Sequence, residues 1–175
     1  SLFKNIDPLK STIAEVVPLN AMGYMSFTYD SFEKLEENLK EYHQKVITEN
    51  PQAALFQSAQ EIGIIYQQEK PVVVLNSIDA TITENALIAN QQVFEEFRGI
   101  PIYTYDQPKS FSQTFSPLIR IQQLKYYTVL DHYFAFAETS SALENMISNY
   151  QNRTTWSSQK SFQSTLSKLS DESSL

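Results

Sequence analysis

The sequence predicts an α+β domain in which a mainly antiparallel sheet carries helices packed on one face. Short runs rich in Tyr, Thr, Val, Ile and Phe are separated by polar turns, as in the stretch from Lys125 to Ala137. Between them lie segments whose apolar residues recur at three- and four-residue steps behind a capping Ser, Thr, Asp or Asn. With only three Gly and seven Pro there is no flexible linker, so residues 1–175 read as one domain.

The first strand is Met22 to Tyr29, bounded by the turn-forming Asp30. Asp30 or Ser31 caps the helix that follows, whose inner face is Phe32, Leu35, Leu39, Tyr42 and Val46 and whose outer face is Glu33, Lys34, Glu36, Glu37 and Lys40. Asn50 before Pro51 starts a short helix running to about Gln60. Ile62–Tyr66 and Pro71–Leu75 form a hairpin through Gln67–Lys70. Asp79 or Thr81 caps a helix carrying Ile82, Ala86 and Leu87. Val93–Phe97 and Ile100–Tyr105 form a strand pair or one bent strand, with Gly99 at the bulge or turn. Phe111 to Ile121 is a short helix interrupted near Pro117, where the missing amide and the ring stop the helical ladder.

Lys125 to Ala137 then reads as two strands meeting in a tight turn at Asp131 and His132. Thr139 or Ser140 caps a helix with the inner face Leu143, Met146, Ile147 and Tyr150, and a last helix from Ser158 to Leu169 presents Phe162, Leu166 and Leu169. Laid over each other, Tyr24–Tyr42 and His132–Tyr150 share a strand-then-helix plan that sets Leu35 on Leu143 and Leu39 on Ile147. Val72–Ala89 follows it more loosely, so repeated strand–helix units are expected.

A formal net charge of −7 repels phosphate backbones and anionic headgroups, which argues against nucleic acid and peripheral membrane partners. Without cysteine there are no disulfides, thiolate ligands or thiol nucleophiles. The apolar runs, such as Val72–Leu75, are far too short to span a bilayer.

No residue is assigned a catalytic, cofactor-binding or metal-binding role. Two histidines leave little scope for metal or acid–base chemistry. His43 lacks a partner at zinc-helix spacing, and Asp131 with His132 reads as a turn rather than as part of a triad. No serine sits in a glycine-flanked elbow, and Gly99 after Arg98 is not a phosphate-cradling loop. Adjacent in a strand, Glu95 and Glu96 face opposite ways and do not make a glycosidase pair. The ten Tyr, eleven Phe and one Trp read first as core, with a sugar- or peptide-binding platform as the alternative.

Three segments in order, Glu96-Phe97-Arg98-Gly99-Ile100-Pro101-Ile102, Val129-Leu130-Asp131-His132-Tyr133-Phe134-Ala135-Phe136 and Ser141-Ala142-Leu143-Glu144-Asn145, precede Phe162 and Leu169-Ser170-Asp171-Glu172-Ser173. This arrangement resembles a bacterial family known as a domain of unknown function in large exported or lipid-anchored proteins. The resemblance covers the C-terminal half and the strand Val72–Leu75, and it carries over no functional residue. It implies an extracytoplasmic location, in the periplasm or cell envelope.

The expected function is therefore a non-enzymatic binding or scaffolding module of a cell-envelope protein, with no cofactor and with a protein or envelope component as partner. The alternative is a hydrolase or inhibitor domain whose site no motif reveals. A chain that begins at Ser1 without an initiator Met, and ends at Leu175 after the polar run Ser170–Ser174, is expected to be part of a longer polypeptide with other domains. Leu175 would then open a further strand, and its loss would leave an unpaired sheet edge.

Overall fold

Glu33 in the first turn and Lys40 in the last complement the dipole of α1 (Phe32–Tyr42), and the Ser31 hydroxyl accepts from the Lys34 amide at 3.4 Å. Such local agreement runs through the computed structural model of the protein, which describes residues 1–44 and 49–158. The other elements are β1 (Gly23–Thr28), α2 (Ala53–Gln57), β2 (Ala59–Tyr66), β3 (Val72–Ser77), α3 (Ala80–Leu87), β4 (Gln92–Phe97), β5 (Ile100–Thr104), α4 (Ser110–Phe115), β6 (Tyr126–Leu130), β7 (Tyr133–Ala137) and α5 (Ser140–Asn152). The strands form one antiparallel seven-stranded sheet in the order β1-β2-β3-β7-β6-β5-β4. The chain is thus α+β, as its sequence predicts. Val46, all but the first residue of the helix expected over Ser158–Leu169, and the strand expected at Leu175 lie outside the described residues.

Most elements fall where the periodicity puts them. Asp79 caps α3, Thr139 caps α5, and α4 stops before Pro117. Arg98 and Gly99, at φ 52° and 81°, close the β4–β5 turn, where glycine adopts the left-handed backbone without penalty. Asp131, at φ 55°, turns β6 into β7. Three details differ from expectation. The helix after Pro51 ends at Gln57 rather than near Gln60, because Ala59 pairs with Ser77 and the Gln60 carbonyl accepts from the Tyr29 amide. Tyr42 is exposed. So is Ile82, because α3 turns Thr83 inward, where its hydroxyl lies 2.6 Å from that of Ser77 and donates to that of Ser58 at 2.7 Å.

The helices do not all share one face. In β3, Val73 and Leu75 join the core beneath α1, α2, α3 and α4, while Val72 and Val74 join a second core beneath α5. Strand alternation carries this split across the sheet. Phe134 and Phe136 of β7 point to the first core, and Tyr133, Ala135 and Ala137 to the second. The two small alanines let α5 approach closely with Ala142, Leu143, Met146 and Ile147. Beside α5 the same face is covered by the segment 13–17, and Ile13 sits over Gly63 so closely that a Cβ there would meet its Cδ1 at 2.2 Å.

The sheet also contains an internal repeat, organised differently from the one expected. Across one half, Phe27 pairs with Ile62 and Ile62 with Leu75; across the other, Tyr103 pairs with Tyr127 and Tyr127 with Phe136. All six belong to, or pack against, the same core. A pseudo-twofold axis normal to the sheet, between β3 and β7, therefore relates β1-α1-β2-β3 to β5-α4-β6-β7. Leu35 and Leu143 are both fully buried, as the overlay of Tyr24–Tyr42 on His132–Tyr150 requires, but in cores on opposite faces. The symmetry stops at the helices that follow the central strands, α3 on one face and α5 on the other.

Both sheet edges are protected against pairing. At β1 the amides of Asp7 and Leu9 donate to the side chains of Asp30 and Thr28, at 3.2 and 3.0 Å, laying the N-terminal segment along the strand. At β4 the register shifts between Val93 and Glu95, a bulge that interrupts the ladder.

Candidate functional site

The residues that could carry chemistry are dispersed. His43 ends α1, and its Nε2 donates to the Ser116 carbonyl at 2.6 Å. Asp131 and His132 turn away from each other: the Asp131 carboxylate accepts from the Tyr150 hydroxyl, and the His132 Nδ1 lies 2.8 Å from the Asn76 Oδ1. Burial, and then the bond to Asp131, push the Tyr150 phenol up to about 12. Glu95 is half-buried towards α5 while Glu96 is exposed, as opposite strand faces require. The Arg98 guanidinium donates to Asn152 at 3.0 Å and the Arg98 carbonyl accepts from Gln151, tying the hairpin to the end of α5. The aromatic rings are mainly core: Phe115 lies within 4.8–6.4 Å of Phe56, Phe27, Phe32, Tyr29 and Phe111.

A network that the sequence did not reveal centres on Glu61, a fully buried acid in β2. Its carboxylate accepts from the Ser11 hydroxyl, from the Thr12 amide at 3.0 Å and from the Asn76 amide group at 3.4 Å. Asn76 also donates to Thr12 Oγ1 at 2.9 Å, while its carbonyl holds His132. The Tyr133 hydroxyl donates to Glu15 at 2.7 Å, and burial raises its pKa, with the Glu15 hydrogen bond adding to the rise. These groups satisfy one another, and of them only Ser11 borders a surface hollow, beside Ser26 and Thr28. The network fastens the N-terminal segment to β2, β3 and the β6–β7 turn, a structural task.

Two of the surface concavities have the most extensive polar walls. One, of about 230 Å³, lies between α1, residues 49–52 and α4, and includes Glu36, His43, Ser110 and Thr114. Several of its polar groups are already partnered: Glu36 pairs with Lys40 at 3.3 Å, Asn50 donates to Thr114 at 3.1 Å, and the Ser110 hydroxyl lies 2.7 Å from that of Tyr105 behind the wall. Burial raises the Tyr105 phenol. Histidine, serine and carboxylate thus share a cleft here without forming a relay.

The second, of about 410 Å³, lies on the opposite face over the first turns of α5. It is bounded by the β2–β3 turn, Asn20 and Phe97. Asn20 and Asn145 exchange amide hydrogen bonds at 3.0 and 3.2 Å, and Asn145 donates to Gln67 at 2.9 Å. Gln67, only 4% exposed, donates in turn to the carbonyls of Lys70 and Ala142. Glu144 lines the same hollow and faces Glu95; the hydrogen bond between the two carboxyl groups, and then burial, hold the Glu144 carboxyl above its usual range.

A raised folded-state pKa favours the protonated form, so this contribution to stability is present at low pH and is lost as pH rises through the carboxyl range. Glu144→Gln is accordingly expected to melt about 1–2 °C above the wild type at pH 7. The gap should close at pH 4. A gap of equal size at both pH values in scanning calorimetry would show that the pair does not share a proton.

Among the described residues no group of three or more His, Asp or Glu is placed to hold a metal ion, and no helix is long and apolar enough to cross a membrane. No curated protein and no solved structure matches the chain. The model of one family does, over residues 66–175, a stretch running from the end of β2 through β3, the whole second half of the sheet and α5. With well over half of its length matched, the chain belongs to the family described as a protein of unknown function (DUF3352).

Proposed function

We propose that this domain is a non-enzymatic binding or scaffolding module of a larger, exported bacterial protein of the cell envelope. The observation that carries the reading is the commitment of the reactive groups. His43 is held by a backbone carbonyl, His132 by an amide, Ser110 by a phenol and Glu36 by a lysine. Catalysis needs a nucleophile and a base within hydrogen-bond reach of each other and of a reacting atom. Neither cleft supplies that convergence, whereas both offer rigid polar walls to a ligand. The extracytoplasmic address rests on the resemblance of residues 96–102, 129–136 and 141–145 to exported proteins, and a cysteine-free chain is compatible with it.

Cosedimentation with isolated bacterial envelopes tests the proposal. The purified protein is expected to be retained. It should also leave chromogenic esters, amides and glycosides unhydrolysed at the same level as His43→Gln. No retention, or a turnover that His43→Gln abolishes, would overturn it.

A further inference from the structure

We infer that the groove over the first turns of α5 is a binding site for a neutral, hydroxyl-rich ligand, a saccharide. The inference rests on the binding-module reading and names the ligand of that module. The hollow, at about 410 Å³, falls within the usual range for small-ligand sites, about 300–1,000 Å³.

Its polar wall is built rather than incidental. Gln67 is almost wholly buried with both ends of its amide bonded, and it fixes Asn145, which fixes Asn20. Asn149 donates to the Asn145 carbonyl at 2.8 Å and braces it from the next turn. Gln67 and Asn145 spend their hydrogen bonds on holding the wall rigid, and Asn20 at its rim keeps one amide hydrogen and one carbonyl lone pair for a ligand, already oriented before binding. In front of this wall stand Gln68, Ser148 and the carboxylates of Glu69 and Glu144. Carboxylates and amides together suit sugar hydroxyls, each of which both donates and accepts, and bonds to the charged oxygens are the stronger ones.

At one end Phe97 supplies an apolar face for the C–H side of a sugar ring. Two residues back on the same strand face, Glu95 stands half-buried against Glu144 and holds that carboxyl in place at the rim of the groove. Sign of charge narrows the class. The lining carries two carboxylates and no Lys, Arg or His, so phosphate, sulfate and uronate ligands are repelled. A peptide would want apolar side-chain pockets or a free sheet edge; the groove has one aromatic ring, and the β4 edge it reaches through Phe97 is interrupted by the bulge between Val93 and Glu95. All of the lining residues except Asn20 fall within the family-matched residues 66–175.

The test is an NMR titration of the full chain with a panel of neutral oligosaccharides, of which N-acetylglucosamine and glucose trimers are the first two. Saturable shifts are expected at Gln67, Phe97, Asn145 and Ser148. Ser148→Trp, which fills the groove from a half-buried position without touching the core, should weaken binding about tenfold or more at an unchanged melting temperature. The inference is overturned if no neutral saccharide gives saturable shifts, if Ser148→Trp binds as the wild type does, or if only anionic glycans or lysine-rich peptides bind. Envelope retention that survives Ser148→Trp would likewise overturn the saccharide assignment while leaving the binding-module reading intact. Loss of retention in the wild type would strike that reading itself.

Discussion

Phe115→Ala is expected to cost about 3–5 kcal/mol, the usual range for deleting a fully buried ring. Phe115 is wholly inaccessible, and its ring is the one around which α1, α2, α4 and β1 meet: Phe56 at 4.8 Å, Phe27 at 5.6 Å, Phe32 at 6.1 Å, Tyr29 and Phe111 at 6.4 Å. Five aromatic partners cannot collapse together into the space it vacates without leaving their rotamers, so the cavity term should persist. Against a total stability of about 5–15 kcal/mol the loss is a large fraction. In urea, with a slope of about 1–3 kcal/mol/M, it should move the midpoint by more than about 1 M. Phe115→Leu keeps most of the volume and should lose less than half as much, while Tyr42→Ala, at an exposed position, should stay within about 0.5 kcal/mol. A Phe115→Ala midpoint indistinguishable from that of Tyr42→Ala would mean that the helices pack on the sheet in some other way.

Much of this architecture was legible because local signals agreed. Ser31, Asp79 and Thr139 cap the helices they precede, Pro117 stops α4, and the Asp131 turn makes the expected hairpin. The face of α5 was not legible. Strand β3 is buried on both sides, so its continuous Val72-Val73-Val74-Leu75 run carries no alternation from which to tell one covered face from two. The expected overlay of β1-α1 on β7-α5 matched local patterns. The actual repeat is set by pairing between strands far apart in sequence, which no window along the chain records. Gln67, Asn145 and Asn20 likewise come from three separate regions, and none is unusual where it stands. A lone Glu directly before the apolar run Ile62–Ile65 was the available hint of the Glu61 network, since an acid in a strand so apolar must either face water or find partners.

Glu61→Ala should be the second most costly change, at about 2–4 kcal/mol, because it removes the acceptor of three donors at once. The Ser11 hydroxyl, the Thr12 amide and the Asn76 amide group all point at this fully buried carboxylate, and although the exposed Ser11 can turn to water, the Thr12 amide and the Asn76 amide group are left facing the vacated space. Glu61→Gln retains one oxygen and the volume. The hydroxyl of Ser11, 3.3 Å from that of Ser26, can rotate to accept from the new amide, so this variant should lose about 1 kcal/mol. The damage should also be directional. The network ties residues 11–15 to β2, β3 and the β6–β7 turn, and Ile13 closes over Gly63 only while that segment is held down. Hydrogen exchange on Glu61→Ala is therefore expected to accelerate first at the amides of Thr12, Glu15 and Val16. The Phe115 side of the sheet should exchange only as fast as the global loss of stability dictates. Uniform acceleration across both faces would instead place Glu61 in the common core rather than in a clasp for the N-terminal segment.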